Sequence, residues 1–410
     1  MLRLAQTRIA EQRRTRKLIG NRERHEIGIR YCLRSETTEF AEHHEEGDDT
    51  ALLERICAAY IKAVDEQRFV QPSYGATPWW RKQERQLAPV RHALAARNIK
   101  KLREMYRAFF QDACSTGLVP RLFSETASPL GRVMSRVRKC LVLSDALYRI
   151  GYWHVQTGER FPISDLEGPA IGSPFGIRIG GTLVAARAEY QHYCAQRILD
   201  LVSSRNAVVT EIGGGFGGMA YYLLRSCPTA TYIDFDVPES LALTAYYLSK
   251  SMPQLSMLLY GEEELTQNAI ARYDIILAPP WELKSLPEQS ADVTFSSHAL
   301  SDLVPGAQAE YLREIARITG DWFLYVGAEE ACRSLRSSLT ERYPSLAGVE
   351  HRLSEWNRFR ALSAIEVEHL YRVQKQDTNE STERDLFGSD PVDAEYCHDS
   401  MRPVPHDLPD

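Results

Sequence analysis

The sequence predicts an α/β fold, a doubly wound and mostly parallel sheet preceded by a mainly helical N-terminal domain. Three observations predict it. The β-branched run Val208 to Ile212 breaks into Gly213-Gly214-Gly215-Phe216-Gly217-Gly218 and then a helix-like segment, Met219 to Leu224. A second short run, Thr231 to Phe235, ends in Asp236 about twenty residues after the glycines, where a doubly wound fold sets a carboxylate against a ribose. Downstream, strand-like runs alternate with segments of helical period to about Val326.

Residues 1–49 read as a charged arm. It is basic through residue 34, including Arg13-Arg14-Thr15-Arg16-Lys17, then acidic from Glu36 to Asp49. Such an arm reads as a solvated helix beside its acidic counterpart, although a basic arm is also what touches nucleic acid or an anionic surface. The net charge of -6 over 410 residues gives no reason to expect nucleic acid. No apolar core stands behind the first charges, as a secretory signal requires, and no run approaches the roughly eighteen apolar residues of a membrane span. The eight cysteines contain no C-x-x-C pair. They read as reduced thiols of a cytoplasmic protein, with neither a disulfide frame nor a zinc site.

Residues 50–160 carry a helical period, with Leu52-Leu53, Ile56-Cys57, Tyr60-Ile61 and Val64, then Leu94, Leu102, Met105-Tyr106 and Phe109-Phe110. This is an accessory helical domain, suited to a substrate cap or to the surface of a homo-oligomer. Trp79-Trp80 is read either as a stacking platform for a ring or as core. Residues 151–181 turn glycine- and proline-rich, and a helix is expected to follow on Leu183, Val184, Ala188, Tyr190, Cys194, Ile198 and Leu201.

The glycine loop has two readings. Gly213, Gly215 and Gly218 meet the dinucleotide spacing, whereas Glu211, Gly213, Gly215 and Gly217 meet that of an S-adenosyl-L-methionine site. Glycines permit positive φ and close approach of a ligand to backbone. Asp236 is the better ribose ligand because it ends its strand, and Asp234 shares its parity. Pro238 to Met252 then reads as a helix, Leu255 to Tyr260 as a minor strand, and Asp274 to Ala278 as the third main strand. Ala291 to Ser296 is the fourth, Ala307 to Ile318 a helix and Asp321 to Val326 the fifth strand. The catalytic domain is bounded at 161–373, and the acidic, proline-bearing tail 374–410 is expected to be disordered.

Glu211-Ile212-Gly213-Gly214-Gly215-Phe216-Gly217-Gly218, followed by Tyr232-Ile233-Asp234-Phe235-Asp236-Val237-Pro238-Glu239-Ser240-Leu241, resembles the sugar O-methyltransferases. The likeness starts upstream at Gly172-Ser173-Pro174-Phe175-Gly176 and runs to about Val326, nearly half the chain. It implies a Rossmann-like class I methyltransferase sheet and S-adenosyl-L-methionine as cofactor. By the same resemblance Glu211, Gly213, Gly215 and Gly217 frame the cofactor's methionine end and Asp236 holds its ribose. Its adenine falls near Pro279-Pro280-Trp281 and Asp292. The implied acceptor is a sugar or a glycosylated metabolite. The chain departs from the family after the fourth strand, where Ser296 and Ala299 replace an Asn and a Ser and Asp302 stands for a Glu.

A sugar hydroxyl is a weak nucleophile, so a base within hydrogen-bond reach is expected. His298 is read as that base and Asp302 as the residue that orients it. Glu329-Glu330 and His351 are lesser candidates for acceptor contact. No histidine or acid spacing suggests a metal site. Two further readings remain: an NAD-dependent oxidoreductase, which the glycine spacing permits, and a methyltransferase-like scaffold without turnover, which the altered run after the fourth strand permits.

Overall fold

The structure, a computed structural model, describes residues 35–40, 48–70, 78–115, 146–204, 206–354, 356 and 366–374. The basic segment 1–34 and residues 375–410 of the tail lie outside the described residues, as do the side chains of Trp79-Trp80.

The main sheet has eight strands. β4 (Val208–Ile212) lies at its centre. On one side follow β5 (Thr231–Phe235), β7 (Ile275–Ala278) and β6 (Met257–Leu259). On the other follow β8 (Ala291–Ser297), β9 (Thr319–Ala328), β11 (Glu366–Val373) and β10 (Leu346–Ser354). Neighbours from β6 across to β9 are parallel, and β11 runs antiparallel to both β9 and β10. The strand order reverses at β4, so a crevice opens at the carboxyl ends of β4 and its neighbours, the place where such sheets bind ligands.

Strand parity divides the interior in two. Val209, Tyr232, Ile275, Leu277, Val293, Phe295 and Leu324 point into one core. Ile212, Ile233, Phe235, Ile276, Ala278 and Phe323 point into the other. The period of two makes this obligatory once both faces are covered.

The first core is roofed by α1 (Thr50–Gln67), α2 (Pro78–Ala95), α3 (Ile99–Arg107), helical residues 146–156, α4 (Ala188–Leu199), α5 (Gly218–Ser226) and α6 (Pro238–Ser251). The second is covered by α7 (Gln267–Arg272), α8 (Pro305–Ile318) and α9 (Glu329–Arg342). The N-terminal helices therefore share a core with the sheet.

Several elements differ from expectation. Leu183 and Val184 belong to β3 (Thr182–Ala185), not to the following helix. Gly180 and Gly181, both at positive φ, turn β2 (Phe175–Ile179) back on β3, and α4 begins only after Arg187. Ser35–Phe40, in the charged arm, forms β1 and pairs with β2. Glu329-Glu330, candidates for acceptor contact, open α9 directly after β9. Asp292 lies at the start of β8 and accepts from the Val208 amide at 2.8 Å, at the amino ends of the strands and away from any adenine site in the crevice.

Candidate active site

The loop between β4 and α5 is held by its own amides. Gly213 N–H donates to the Phe235 carbonyl at 2.9 Å, and Gly217 N–H to the Gly214 carbonyl at 3.1 Å. Gly214 N–H reaches Asp234 Oδ1 at 3.0 Å and Gly215 N–H reaches Asp236 Oδ2 at 2.9 Å. Gly213, Gly215 and Gly217 adopt φ of 86°, 67° and 86°. An L side chain pays for that region in steric strain. A methyl at Gly213 would collide with that of Ala299, whereas the space beside Gly215 is clear to 4 Å. The loop therefore presents an open, side-chain-free wall at Gly215.

Three carboxylates surround this loop. Glu211 and Asp234 are register partners on β4 and β5 and share a face with Asp236. Tyr232 donates its hydroxyl to Glu211 Oε2 at 2.6 Å. The Val237 amide donates to Asp236 Oδ1 at 2.7 Å. Asp234 Oδ2 is buried without a partner.

Burial lifts the Glu211 carboxyl to about 7, with the Asp236 charge adding to it. Burial likewise raises Asp236 to about 7, against the pull of the Gly215 and Val237 amides. Asp234 is raised well above the carboxylate range by burial and then by its two acidic neighbours. Among the described residues no lysine or arginine pairs with any of the three. This is a buried carboxyl cluster with no counterion among the described residues.

Phe216 anchors the loop from behind. Its ring stands 5.5 Å from Phe109, 5.5 Å from Phe110 and 5.0 Å from Tyr247. The segment after α3 thus packs directly on the glycine loop. Arg91 of α2 donates from Nε to Glu239 Oε1 at 2.9 Å, at the start of α6 and three residues past Asp236.

The second half of the site is the turn after β8. His298 takes a left-handed φ of 64°, and its amide donates to the Val326 carbonyl at 2.7 Å. Ala299, the next residue, is the one packed against Gly213. His298 therefore stands beside the glycine loop.

The acid that faces it is Glu366, with Oε2 at 3.2 Å from His298 Nε2. Asp302 closes the short 3-10 turn Ala299–Asp302, and its side chain lies outside the described residues. Nothing local in the sequence pointed to Glu366, which reaches the turn from β11, 68 residues on. Ser297 shares a 2.7 Å hydrogen bond with the Tyr190 hydroxyl of α4. Pro279 and Pro280 leave β7 at the crevice end, and Trp281 is buried.

His351 lies on the edge strand β10, its ring tilted against that of His369 at 4.3 Å and four strands from β4. Burial pushes His369 down to about 4, with His351 adding to the effect. The pair lies on the two outermost strands of this side of the sheet, β10 and β11. No group of three or more histidine, cysteine, aspartate or glutamate side chains able to hold a metal is found among the described residues.

No family model and no curated protein matches the chain. Among solved structures it is similar to an N-methyltransferase from Bradyrhizobium japonicum in complex with S-adenosyl-L-homocysteine, at 14% identity over 46% of this chain and 88% of that one, TM-score 0.33. It is also similar to the magnesium protoporphyrin IX methyltransferase of Synechocystis with bound S-adenosyl-L-methionine, at 9% identity over 62% and 88% of the two chains, TM-score 0.33. A third is a methyltransferase from Aquifex aeolicus, at 13% identity over 44% and 89%, TM-score 0.31. Likeness at this level assigns neither a ligand nor a reaction to the chain.

Proposed function

We propose that the protein is an S-adenosyl-L-methionine-dependent O-methyltransferase acting on a hydroxyl of a sugar or glycosylated metabolite. One observation carries the cofactor: the amides of Gly214 and Gly215 are already bonded to Asp234 and Asp236, inside a buried carboxyl cluster. A dinucleotide would bring a pyrophosphate to this loop, where it needs free amides, and those of Gly214 and Gly215 are already taken. S-adenosyl-L-methionine brings a sulfonium, an ammonium and a ribose diol, and each suits carboxylate partners. The open wall at Gly215 fits such a ligand. The NAD-dependent reading is disfavoured by the same contacts. The acceptor class rests on the motif resemblance from Glu211 to Leu241.

In this reading Asp236 binds the ribose, while Glu211 and the glycine wall receive the methionine end. When bound, the cofactor supplies a methyl group activated on sulfur. The chain's own contribution is to position the acceptor oxygen and to take its proton. His298 is the base, at the carboxyl end of β8 and one residue from the alanine packed on Gly213.

Calorimetric titration with S-adenosyl-L-methionine, its demethylated product and NAD tests the cofactor. The expected result is micromolar binding of the first two, lost in Asp236→Ala, and no binding of NAD. Binding of NAD alone would sink the methyltransferase. Binding of none would favour the scaffold.

A further inference from the structure

Glu366 opens β11, a strand on the antiparallel side of the sheet, yet its carboxylate ends beside His298 on the crevice side. It is 8% exposed, and each of its oxygens has a polar neighbour: Oε2 stands 3.2 Å from His298 Nε2, and Oε1 accepts from Ser354 Oγ at 2.8 Å. The histidine is pinned at its backbone as well. Its amide bonds Val326, and its carbonyl accepts from Ser301 Oγ at 2.6 Å. A non-glycine residue at φ 64° persists only where its surroundings over-determine it, and such residues cluster at functional sites. Among the described residues no group bonds His298 Nδ1.

We infer that Glu366 is the positioning residue of a His298–Glu366 dyad, setting the imidazole tautomer so that Nδ1 is the nitrogen that receives the acceptor's proton. An ionised carboxylate only accepts, so it selects the imidazole form with hydrogen on Nε2. The lone pair then lies on Nδ1. In the transfer step the acceptor O–H bond breaks and its proton goes to Nδ1. The oxygen's electron pair forms the new bond to the methyl carbon, and the pair of the broken S–C bond stays on sulfur. Glu366 holds the resulting imidazolium. This role rests on the methyltransferase reading, whereas the dyad itself does not.

The test uses the full chain labelled with nitrogen-15 at histidine, in long-range proton–nitrogen spectra at mildly alkaline pH. His298 is assigned by loss of its signals in His298→Gln. The wild type is expected to show one dominant tautomer with hydrogen on Nε2 and a slowly exchanging ring proton. Glu366→Ala should mix the tautomers and lose that proton to exchange, and Glu366→Asp should restore part of the signal. If Glu366→Ala fails to fold, Ser354→Ala, which removes the hydroxyl bonded to Oε1, should speed ring-proton exchange several-fold. A wild-type tautomer with hydrogen on Nδ1, or a ring signal indifferent to both variants, overturns the proposal. Titration of the same wild-type sample with S-adenosyl-L-methionine separates the failures: an intact dyad without cofactor binding sinks the methyltransferase reading, and binding without the dyad sinks this one.

Discussion

Glu211 and Asp236 titrate where most carboxylates do not, and the sign of the consequence follows from linkage. Both are pushed to about 7 in the folded chain, against about 4 in the unfolded one. Between those values the folded state holds more protons, so these groups stabilise it at low pH, and their contribution is lost as pH rises through 7. The ligand-free protein should therefore melt at a lower temperature at pH 8 than at pH 6. A scan showing the reverse for the wild type, with no difference in Glu211→Gln, would remove the cluster as the cause. A cationic ligand prefers the ionised seat, so S-adenosyl-L-methionine should bind more tightly as pH rises towards 7 and release protons as it binds. Calorimetry in buffers of different ionisation enthalpy reads that release directly. That Glu211, the glycines and Asp236 come together was legible, because they lie within one strand–loop–strand unit. Asp234 was legible as an alternative, and the structure bonds both aspartates to adjacent loop amides.

At the scale of elements, the glycine loop depends on a segment more than a hundred residues upstream. Phe109 is fully buried against Phe216, Phe110 and Tyr247, and it fills the space that a side chain at Gly172 would need. Phe109→Ala should destabilise the fold by about 3–5 kcal/mol, as aromatic truncations in close-packed cores do. It should also weaken cofactor binding through a loosened loop. Urea unfolding paired with titration checks both, and a stability loss with unchanged affinity would uncouple the loop from this buttress. The strands β4, β5, β7, β8 and β9 were readable from their apolar runs. β10 and β11 were not, because β11 carries Glu366, Glu368 and His369, all buried. Those charges are tolerable only through tertiary partners: Tyr193 and Arg197 at Glu368, His298 and Ser354 at Glu366. Asp292 was misplaced because the resemblance set it near the adenine, although Ala291 to Ser296 already put it at the amino end of its strand.

Over the whole molecule, the N-terminal helices and the sheet share one hydrophobic core. Tyr106 packs 5.1 Å from Tyr246, Phe109 lies on the glycine loop, and Arg91 pairs with Glu239. A fragment spanning 161–374 would expose that face of α5 and α6. It should fail to give a dispersed spectrum or a cooperative melt, whereas a native-like melt would show that the catalytic half folds alone. The helical period of residues 50–110 announced the helices but not what they cover, since an amphipathic stripe fits a cap, a dimer surface or an internal roof equally well. Local order in the chain was enough to establish the alternating fold, the glycine loop and the acid at the end of the second strand, because each depends on residues a few positions apart. The carboxylate that faces His298, the ring that backs the loop and the face roofed by the N-terminal helices were settled only on folding. They join residues far apart in sequence, and packing alone selects such partners.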